Sequence, residues 1–183
     1  MAKLVLTLIG DDREGLVSAL SSVVADHDGN WLESQLARLA GKFAGVALVE
    51  VPDARANAFR AAARTVEGLD VVVTPADGGE PGDGTPVTLN LVGNDRVGIV
   101  REVTTALAGQ GVTIDELHTS TRPAPMAEGM LFEAVAQLRI PAEVEIAAVR
   151  EALESIAAEL MVDIDVDETP DDVDGLTGAG TTS

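Results

Sequence analysis

The residues best suited to bind a ligand in this 183-residue chain lie in a short segment that occurs twice. It has the pattern Gly-x-Asp-Arg-x-Gly and covers residues 10–15 and 93–98. Each copy follows an aliphatic run and precedes an amphipathic one, so the pattern predicts a turn between a strand and a helix. The first N–H groups of a helix lack partners within it, and the positive end of its dipole attracts anions. The segment therefore predicts a binding site for the carboxylate of a small ligand.

The residue types in this segment have two interpretations, which the pattern alone leaves open. In the first, Gly15 and Gly98 let a ligand approach the backbone closely, and the two arginines add a charge-assisted contact or pair with neighbouring acids. In the second, the glycines only shape the turn and permit close packing of the helix. In both, Asp12 and Asp95 are expected to cap the helices by accepting hydrogen bonds from their first N–H groups.

The segment belongs to a longer internal repeat. Residues 6–17 align with residues 89–100 at an offset of 83, and seven of the twelve positions are identical. The same offset carries Asn30 onto Thr113, whereas the proline at 52 corresponds to that at 141, an offset of 89. Two copies of one structural unit are therefore predicted, of which the second is longer by six residues.

Both copies share one order of elements, strand–helix–strand–strand–helix–strand. Runs of β-branched and aliphatic residues indicate the strands, and Pro52 and Pro141 are expected to open the second helix of each copy. The order βαββαβ is the ferredoxin-like arrangement, an α+β fold with the helices on one face of an antiparallel sheet. The strands are expected at residues 3–9, 30–39, 43–51 and 69–74 in the first copy, and at 87–92, 112–121, 130–140 and 161–166 in the second.

Composition along the chain predicts where the domains begin and end. We expect a first domain over residues 1–75 and a second over 87–166, joined by a flexible linker over 76–86 that is rich in glycine and proline. Residues 167–183 are mostly Asp, Gly and Thr, and we expect them to form a disordered acidic tail.

Composition also excludes several kinds of site. The chain has no cysteine, which rules out disulfides, thiolate zinc sites and cysteine nucleophiles. Its formal net charge is −19 and no segment has a basic excess, which argues against direct binding of nucleic acid or of an anionic membrane. Alternate aspartates from Asp163 onward partly match a calcium loop, but Glu168 stands where that loop needs glycine. We therefore expect no metal and no cofactor, in a cytoplasmic protein without a membrane span.

Patterns typical of enzymes are missing from the sequence. It contains no P-loop, no nucleophile elbow, no zinc-protease pattern and no dinucleotide fingerprint. The two histidines, His27 and His118, fall at positions where the other copy has glutamine, so neither imidazole is repeated. We predict that the chain is not an enzyme.

Two βαββαβ units, each with Gly-x-Asp-Arg-x-Gly after its first strand, resemble tandem ACT domains, in particular the glycine cleavage system transcriptional repressor-like group. The resemblance covers about residues 3–166 and includes the segment 120–124 followed by 130–132. It implies a regulatory module that senses a small molecule, typically an amino acid, at an interface between two units.

The resemblance also implies which residues contact the ligand, from the first strand–helix loop and the start of the second strand. Glu14 and Val97 depart from the family pattern, which often has proline before the loop glycine, and this changes the rigidity of the loop. Because the second copy has threonine where the first has asparagine, the two sites need not be equivalent. The implied contacts are Gly10, Asp11, Asp12, Arg13, Gly15 and Asn30 in the first copy, and Gly93, Asn94, Asp95, Arg96, Gly98 and Thr113 in the second.

Charge and resemblance together predict a regulator that acts on a protein partner rather than on DNA. Exposed sheet edges invite pairing with another chain, so we expect a homodimer. The alternative is a purely structural oligomerisation module that binds no small molecule.

Overall fold

The computed structural model describes residues 1–76, 78, 83–124 and 129–168. The chain forms two compact units, Met1–Glu80 and Pro81–Ser183. Each unit has a hydrophobic core of its own.

Unit 1 consists of four strands, two α-helices and a short 3₁₀ turn over Asp53–Arg55. Its elements are β1 (Ala2–Asp11), α1 (Leu16–Asp26), β2 (Asn30–Leu39), β3 (Lys42–Val51), α2 (Ala56–Ala63) and β4 (Asp70–Pro75). The sheet has the order β2-β3-β1-β4, and neighbouring strands are antiparallel.

Unit 2 repeats this arrangement. Its elements are β5 (Gly84–Asn94), α3 (Ile99–Gly109), β6 (Thr113–Pro123), β7 (Met130–Pro141), α4 (Ile146–Leu160) and β8 (Val162–Glu168). The sheet order is β6-β7-β5-β8, again antiparallel throughout. The two sheets confirm the predicted α+β, ferredoxin-like βαββαβ fold in both copies.

The offset of 83 holds into the second strand of each unit. The pairing of β2 with β3 shifts between Trp31 and Glu33, and that of β6 with β7 shifts between Ile114 and Glu116. These irregularities fall at corresponding positions, so residues of β2 and β6 can be compared one by one.

Alternation along the strands packs one face of each sheet against the helices. In β1, Leu4, Leu6 and Leu8 are buried, whereas Thr7 and Ile9 are exposed. Burying one such leucine contributes about 1.5–3 kcal/mol relative to leaving it in water. The helices supply buried residues to the same cores, among them Leu16, Leu20, Val24 and Phe59 in unit 1 and Ile99, Val103, Leu107, Val149 and Leu153 in unit 2.

The prediction that a proline opens each second helix is wrong. Pro52 precedes the 3₁₀ turn, and α2 begins only at Ala56. Pro141 is the last residue of β7, where it lies opposite Gly84, and α4 begins five residues later. In both units a turn intervenes, because the carbonyl of each proline accepts a hydrogen bond from the third residue after it.

The ends of unit 2 extend beyond the residues predicted for them. Strand β5 begins at Gly84, inside the predicted linker, and β8 ends at Glu168, two residues into the predicted tail. The rest of that tail and linker residues 77 and 79–82 lie outside the described residues.

The aspartates of the incomplete calcium pattern lie on strand β8. Asp163 and Asp165 are exposed while Val162 and Val166 are buried, which is the alternation of a strand with one face on the core. Over the described ranges, no group of three acidic or histidine side chains is placed to hold a metal ion.

Candidate functional site

The two repeated segments form equivalent loops, which we call loop 1 (residues 10–15) and loop 2 (93–98). In loop 1, the N–H of Asp12 donates to the carbonyl of Gly41 at 3.0 Å; in loop 2, the N–H of Asp95 donates to the carbonyl of Met130 at 2.8 Å. The backbone of each loop is thus fixed to the hairpin of its unit, formed by β2 and β3 in unit 1 and by β6 and β7 in unit 2. The helix that follows starts with the carbonyl of the last loop glycine accepting from the residue four positions on.

The helix starts differ from the prediction that aspartate caps them. The residue at the N-cap is Gly15 in α1 and Gly98 in α3, with φ of 83° and 99°. These left-handed backbone angles are strained for any residue with a Cβ, so the repeated glycine is required by the turn itself. Asp12 and Asp95 lie three residues before the N-cap, and the prediction that they cap the helices is wrong.

Three of the four charged side chains of loop 1 pair with another part of unit 1. Asp11 pairs with Lys42, which lowers the pKa of the Asp11 carboxyl below its ordinary value, chiefly by hydrogen bonding. The carboxylate of Asp12 lies 3.0 Å from Nε of Arg38, near the end of β2. Loop 1 is therefore attached to the β2–β3 hairpin by side chains as well as by backbone.

Arg13 crosses to the opposite side of loop 1, towards the turn before β4. Its guanidinium donates to the carbonyl of Glu67, and Nη1 lies 3.6 Å from the Glu67 carboxylate. A Cβ at Gly68 would collide with that guanidinium, and a Cβ at Gly10 would collide with the carbonyl of Gly68. Glycine at both positions lets the loop and this turn approach closely, which is the structural role considered for Gly10.

Loop 2 has the same motif but other partners. Arg96 pairs at 2.8 Å with Glu102, on the first turns of α3, and the Glu102 carboxylate lies beside Gly98. Asn94 replaces the acid of loop 1, and within the described part of the chain the Asp95 carboxylate forms neither an ion pair nor a hydrogen bond. Among the described residues, the one side-chain attachment of loop 2 is therefore to its own helix, through Arg96 and Glu102.

A surface depression of about 230 Å³ lies at loop 1. It is bounded by Gly15 and Val17 at the start of α1 and by Arg38 and Phe43 from the hairpin. The N–H groups of residues 16–18 begin the helix and have no acceptor in a preceding turn. An anion in this depression would lie near the positive end of the helix dipole and the guanidinium of Arg38, and also near the carboxylates of Asp12 and Glu14, which line it as well.

The structure does not bring Asn30 or Thr113 to the loop of the same unit. Asn30 pairs with Glu50, and Glu50 pairs with Lys3 near the start of β1, whereas loop 1 begins at Gly10. Seven residues of strand separate Lys3 from Gly10, which is about 23 Å at roughly 3.3 Å per residue. In unit 2, Thr113 pairs with Arg139, and Arg139 pairs with Pro86. Pro86 precedes Gly93, the first residue of loop 2, by the same seven residues. The predicted contacts of each unit therefore form two groups at opposite ends of its sheet.

Sequence reasoning missed the residues that hold the loops. Arg38, Lys42, Glu67 and Gly68 reach loop 1 only through the registers of the sheet, which no local pattern reveals. Glu102 had a detectable signal, since it follows Gly98 by four residues and so stands one turn along the same helix.

Comparisons with known proteins match both units separately. The family model for the ACT domain matches residues 2–71 and 85–167. A curated relative, the UPF0237 protein MK1213 of Methanopyrus kandleri, is 41% identical over 54 residues, which are 30% of this chain and 60% of that protein. The chain thus spans about three-fifths of the length of this relative.

Two solved structures cover nearly the whole chain. A protein of unknown function from Galdieria sulphuraria is 31% identical, with a TM-score of 0.83 over 92% of this chain and 98% of that one. A putative glycine cleavage system transcriptional repressor is 15% identical, with a TM-score of 0.63 over 91% of this chain and 96% of that one. At 15% identity, the similarity to this second structure shows a shared fold and no more. With two tandem βαββαβ units, each matched by the family model and each carrying the loop at its first helix, the chain belongs to the ACT domain family.

Proposed function

We propose that this chain is a non-enzymatic regulatory protein that binds an amino acid at an interface between ACT domains and acts on a protein partner. ACT domains are typically regulatory modules for small ligands, which is the coarse function that family membership supports. The ligand and the partner are our proposal. The likeness to a putative glycine cleavage repressor suggests that the regulated process is amino-acid metabolism.

The observation that carries this proposal is the open depression at loop 1, beside a helix start whose first N–H groups have no acceptor in a preceding turn. Gly15 has no neighbouring atom within 4 Å of where a Cβ would lie, so a ligand can reach the backbone there. An amino-acid carboxylate in this position gains about 0.3–1 kcal/mol from the helix dipole, and up to roughly 2 when partly buried. Arg38 adds a cation at the rim of the depression.

The opposite placement of loop and strand start supports an interface site. A free amino acid is far shorter than the roughly 23 Å between Gly10 and the Asn30 end of the sheet. One ligand can touch both groups of predicted contacts only if two copies of the fold contribute, one through its loop and the other through its strand start. We therefore propose a homodimer in which these groups meet.

The charge of the chain favours a protein partner over DNA. Twelve basic residues against 31 acidic ones leave no basic surface to gain counterion-release energy on a duplex. If the chain regulates transcription, we propose that it does so by contacting another protein in the cytoplasm. Among the described helices, none has the length and apolar character to cross a membrane.

A thermal-unfolding screen against the twenty amino acids, beginning with glycine and serine, tests the proposal. A ligand at about 100 times its Kd adds roughly 2.7 kcal/mol to the free energy of unfolding. We expect Tm to rise by about 5–11 °C for one amino acid or a small related group.

Two matched variants locate the site. Arg38→Gln removes the cation at the depression and should reduce the ligand-induced rise in Tm, whereas Arg64→Gln, at an exposed arginine after α2, should leave it unchanged. If no amino acid shifts Tm at millimolar concentration, the sensor proposal is rejected.

A second candidate, a purely structural interaction module, is favoured by the side chains of loop 1. Three of its four charged side chains have partners within the unit, as expected of a loop that only holds the fold together. This candidate predicts a dimer whose dissociation constant, measured by sedimentation, is indifferent to every amino acid.

A further inference from the structure

The sheet of unit 1 has an apolar face on the side away from its helices, which we call the outer face. Leu4, Leu6 and Leu8 of β1 are buried on the helix side, so the residues between them lie on the outer face. With their partners in β3 and β4, the apolar residues at its centre are Val5, Ile9, Ala44, Val46, Leu48 and Val72. Ile9 and Val72 are 50% and 52% exposed.

The same face of unit 2 is polar. By strand pairing, the six corresponding positions hold Thr88, Val92, Glu133, Val135, Gln137 and Asp165, of which two are apolar. The hydroxyl of Thr88 donates to the side chain of Gln137 at 3.0 Å, and Glu133 accepts a hydrogen bond from Arg122 at 2.7 Å. A contiguous apolar patch on a surface is typical of an interface, so the outer face of unit 1 is the one that indicates a partner.

The charges at the two ends of this face show which partner fits. At one end, Lys3 of β1 lies beside Glu50 of β3; at the other, Asp11 of β1 lies beside Lys42 of β3. The order of the signs on the two strands is therefore reversed between the ends. A second copy turned end for end, with β1 over β1, presents an acid to each lysine and a lysine to each acid.

We propose that the outer face of unit 1 binds the same face of a second copy of this chain, about a twofold axis that crosses the strands at Thr7. Such an interface uses one surface patch on both copies. Val46 of each copy then packs against Val46 of the other, and the charged ends meet with opposite signs. Sheets that pack face to face in this way lie about 10 Å apart, with their strands within about 30° of each other.

The area of the face is that of a weak dimer. From Lys3 to Asp11 it is about 26 Å long at roughly 3.3 Å per residue, and four strands about 4.8 Å apart make it about 19 Å wide. Each copy therefore buries about 500 Å² and the pair about 1,000 Å², which is the lower limit for a specific interface. We expect a Kd in the micromolar range.

The inference names the surface of the homodimer proposed above, and in that respect it rests on the proposed function, although the contact itself needs no ligand. Asn30 lies beside Glu50 at one end of the sheet, and loop 1 begins at the other end. The end-for-end arrangement brings the Asn30 end of one copy to the loop 1 end of its partner. An interface site built from both groups requires this juxtaposition.

Sedimentation equilibrium of the full chain, at micromolar to millimolar concentration and without added amino acid, tests the inference. Val46→Asp places a carboxylate at the centre of the contact in both copies. It should raise the Kd of the dimer at least about tenfold, because these carboxylates lose water without gaining a partner. Val135→Asp is the matched control, since Val135 is the corresponding residue of unit 2 and is 41% exposed against 42% for Val46. It should leave Kd unchanged.

The charged ends provide a second test. Lys3→Glu should raise Kd about threefold, as expected of exposed ion pairs, and Asp11→Lys in the same chain should reverse this loss. If Val46→Asp lowers Tm more than Val135→Asp does, Val72→Asp repeats the first test, because unit 2 has Asp165 at that position.

Two results would overturn the inference: a wild-type chain that stays monomeric up to millimolar concentration, or a Kd that Val46→Asp and Val135→Asp change equally. The second result would mean that the dimer forms through another surface. The Tm screen with amino acids separates this inference from the proposed function. A monomer that binds an amino acid keeps the sensor without this contact, whereas a dimer of this kind that binds none keeps the inference and removes the sensor.

Discussion

Loop 1 and loop 2 share four of six residues, yet they are held in different ways. Loop 1 has an ion pair at three of its four charged positions, and all three partners lie elsewhere in the unit. In unit 2 the positions that correspond to Arg38 and Lys42 hold Thr121 and Leu131. Arg96 accordingly turns to Glu102 on its own helix.

This contrast shows that a conserved-looking motif does not define a site by itself. The glycine at the helix start keeps its left-handed backbone in both loops, so it is a requirement of the turn. The charged motif residues follow whatever partners the surrounding strands provide. The difference between the two loops predicts four effects of decreasing size.

The largest difference is expected at the first glycine of each loop. A Cβ at Gly10 would collide with the backbone carbonyl of Gly68, whereas one at Gly93 would meet mainly Val162, of which Cγ1 can rotate away but Cβ and Cα cannot. Gly10→Ala should therefore lower the free energy of unfolding by about 3 kcal/mol, and Gly93→Ala by roughly 1–2. Urea denaturation measures both, with Trp31 as the fluorescent reporter of unit 1.

Gly109→Ala is the control for these variants, because a Cβ at the end of α3 meets open space. It should change stability by no more than about 1 kcal/mol, in the stabilising direction. Equal losses for the two loop variants would show that the close approach in unit 1 is no tighter than that in unit 2.

The glycines at the helix starts should come next. Gly15→Ala and Gly98→Ala each force a Cβ into the left-handed region, at a cost of about 1–2 kcal/mol. Gly98→Ala should be slightly worse, because its Cβ would lie 3.3 Å from the Glu102 carboxylate. Thermal unfolding measures both, and Gly78→Ala, which is open and lacks a positive φ, should be neutral. A neutral Gly15→Ala would contradict the proposed backbone requirement.

Exchanging the side chain that pairs with Asp12 should have a smaller effect on stability. Arg38→Thr gives unit 1 the residue of unit 2 and should cost about 0.5 kcal/mol, as expected of an exposed ion pair. Thr121→Arg offers Asp95 the partner that Arg38 provides for Asp12, and it should gain a similar amount. A double-mutant cycle of Arg38→Thr with Asp12→Asn isolates the pair, and zero coupling would mean that the contact stabilises nothing.

The smallest effect is on titration. Lys42 lowers the pKa of Asp11 below its ordinary value of 3.8. A lowered folded-state pKa contributes stability above the ordinary pKa, and this contribution is lost as pH falls through the lowered value. Lys42→Leu, the residue of unit 2, should return the Asp11 midpoint towards 3.8 in a carboxyl NMR titration. An unchanged midpoint would show that the pairing with Lys42 does not cause the lowered pKa of Asp11.

The sequence was informative about the fold because the signals for it are local and occur twice. The runs of β-branched and aliphatic residues, among them residues 3–9, and the repeat at offset 83 predicted the element order, the strands and the two copies of the fold. The capping prediction was wrong because a left-handed glycine at the N-cap moves the helix start three residues past Asp12. The positions of the helix-opening prolines were wrong because a turn intervenes in each unit, which local propensity does not reveal.

The residues that contact the loops could not be predicted from the sequence, for a different reason. Arg38 meets Asp12 only because β2 returns along β3 in one register, and Gly68 meets Gly10 only because β4 pairs with β1. The separation of Asn30 from loop 1 also follows from register, since Asn30 pairs through Glu50 to the far end of β1. Such contacts depend on strand pairing between residues that are tens of positions apart, and composition does not predict that pairing.

That separation also has a genetic consequence. On the proposed arrangement, each complete site takes its loop from one copy and its strand start from another. A chain with a mutation only in loop 1 and a chain with a mutation only at Asn30 would each be inactive alone. A dimer formed from one of each would contain one intact site. Two defective alleles should then complement each other in the same cell, while a single allele damaged at both ends should not be rescued by either.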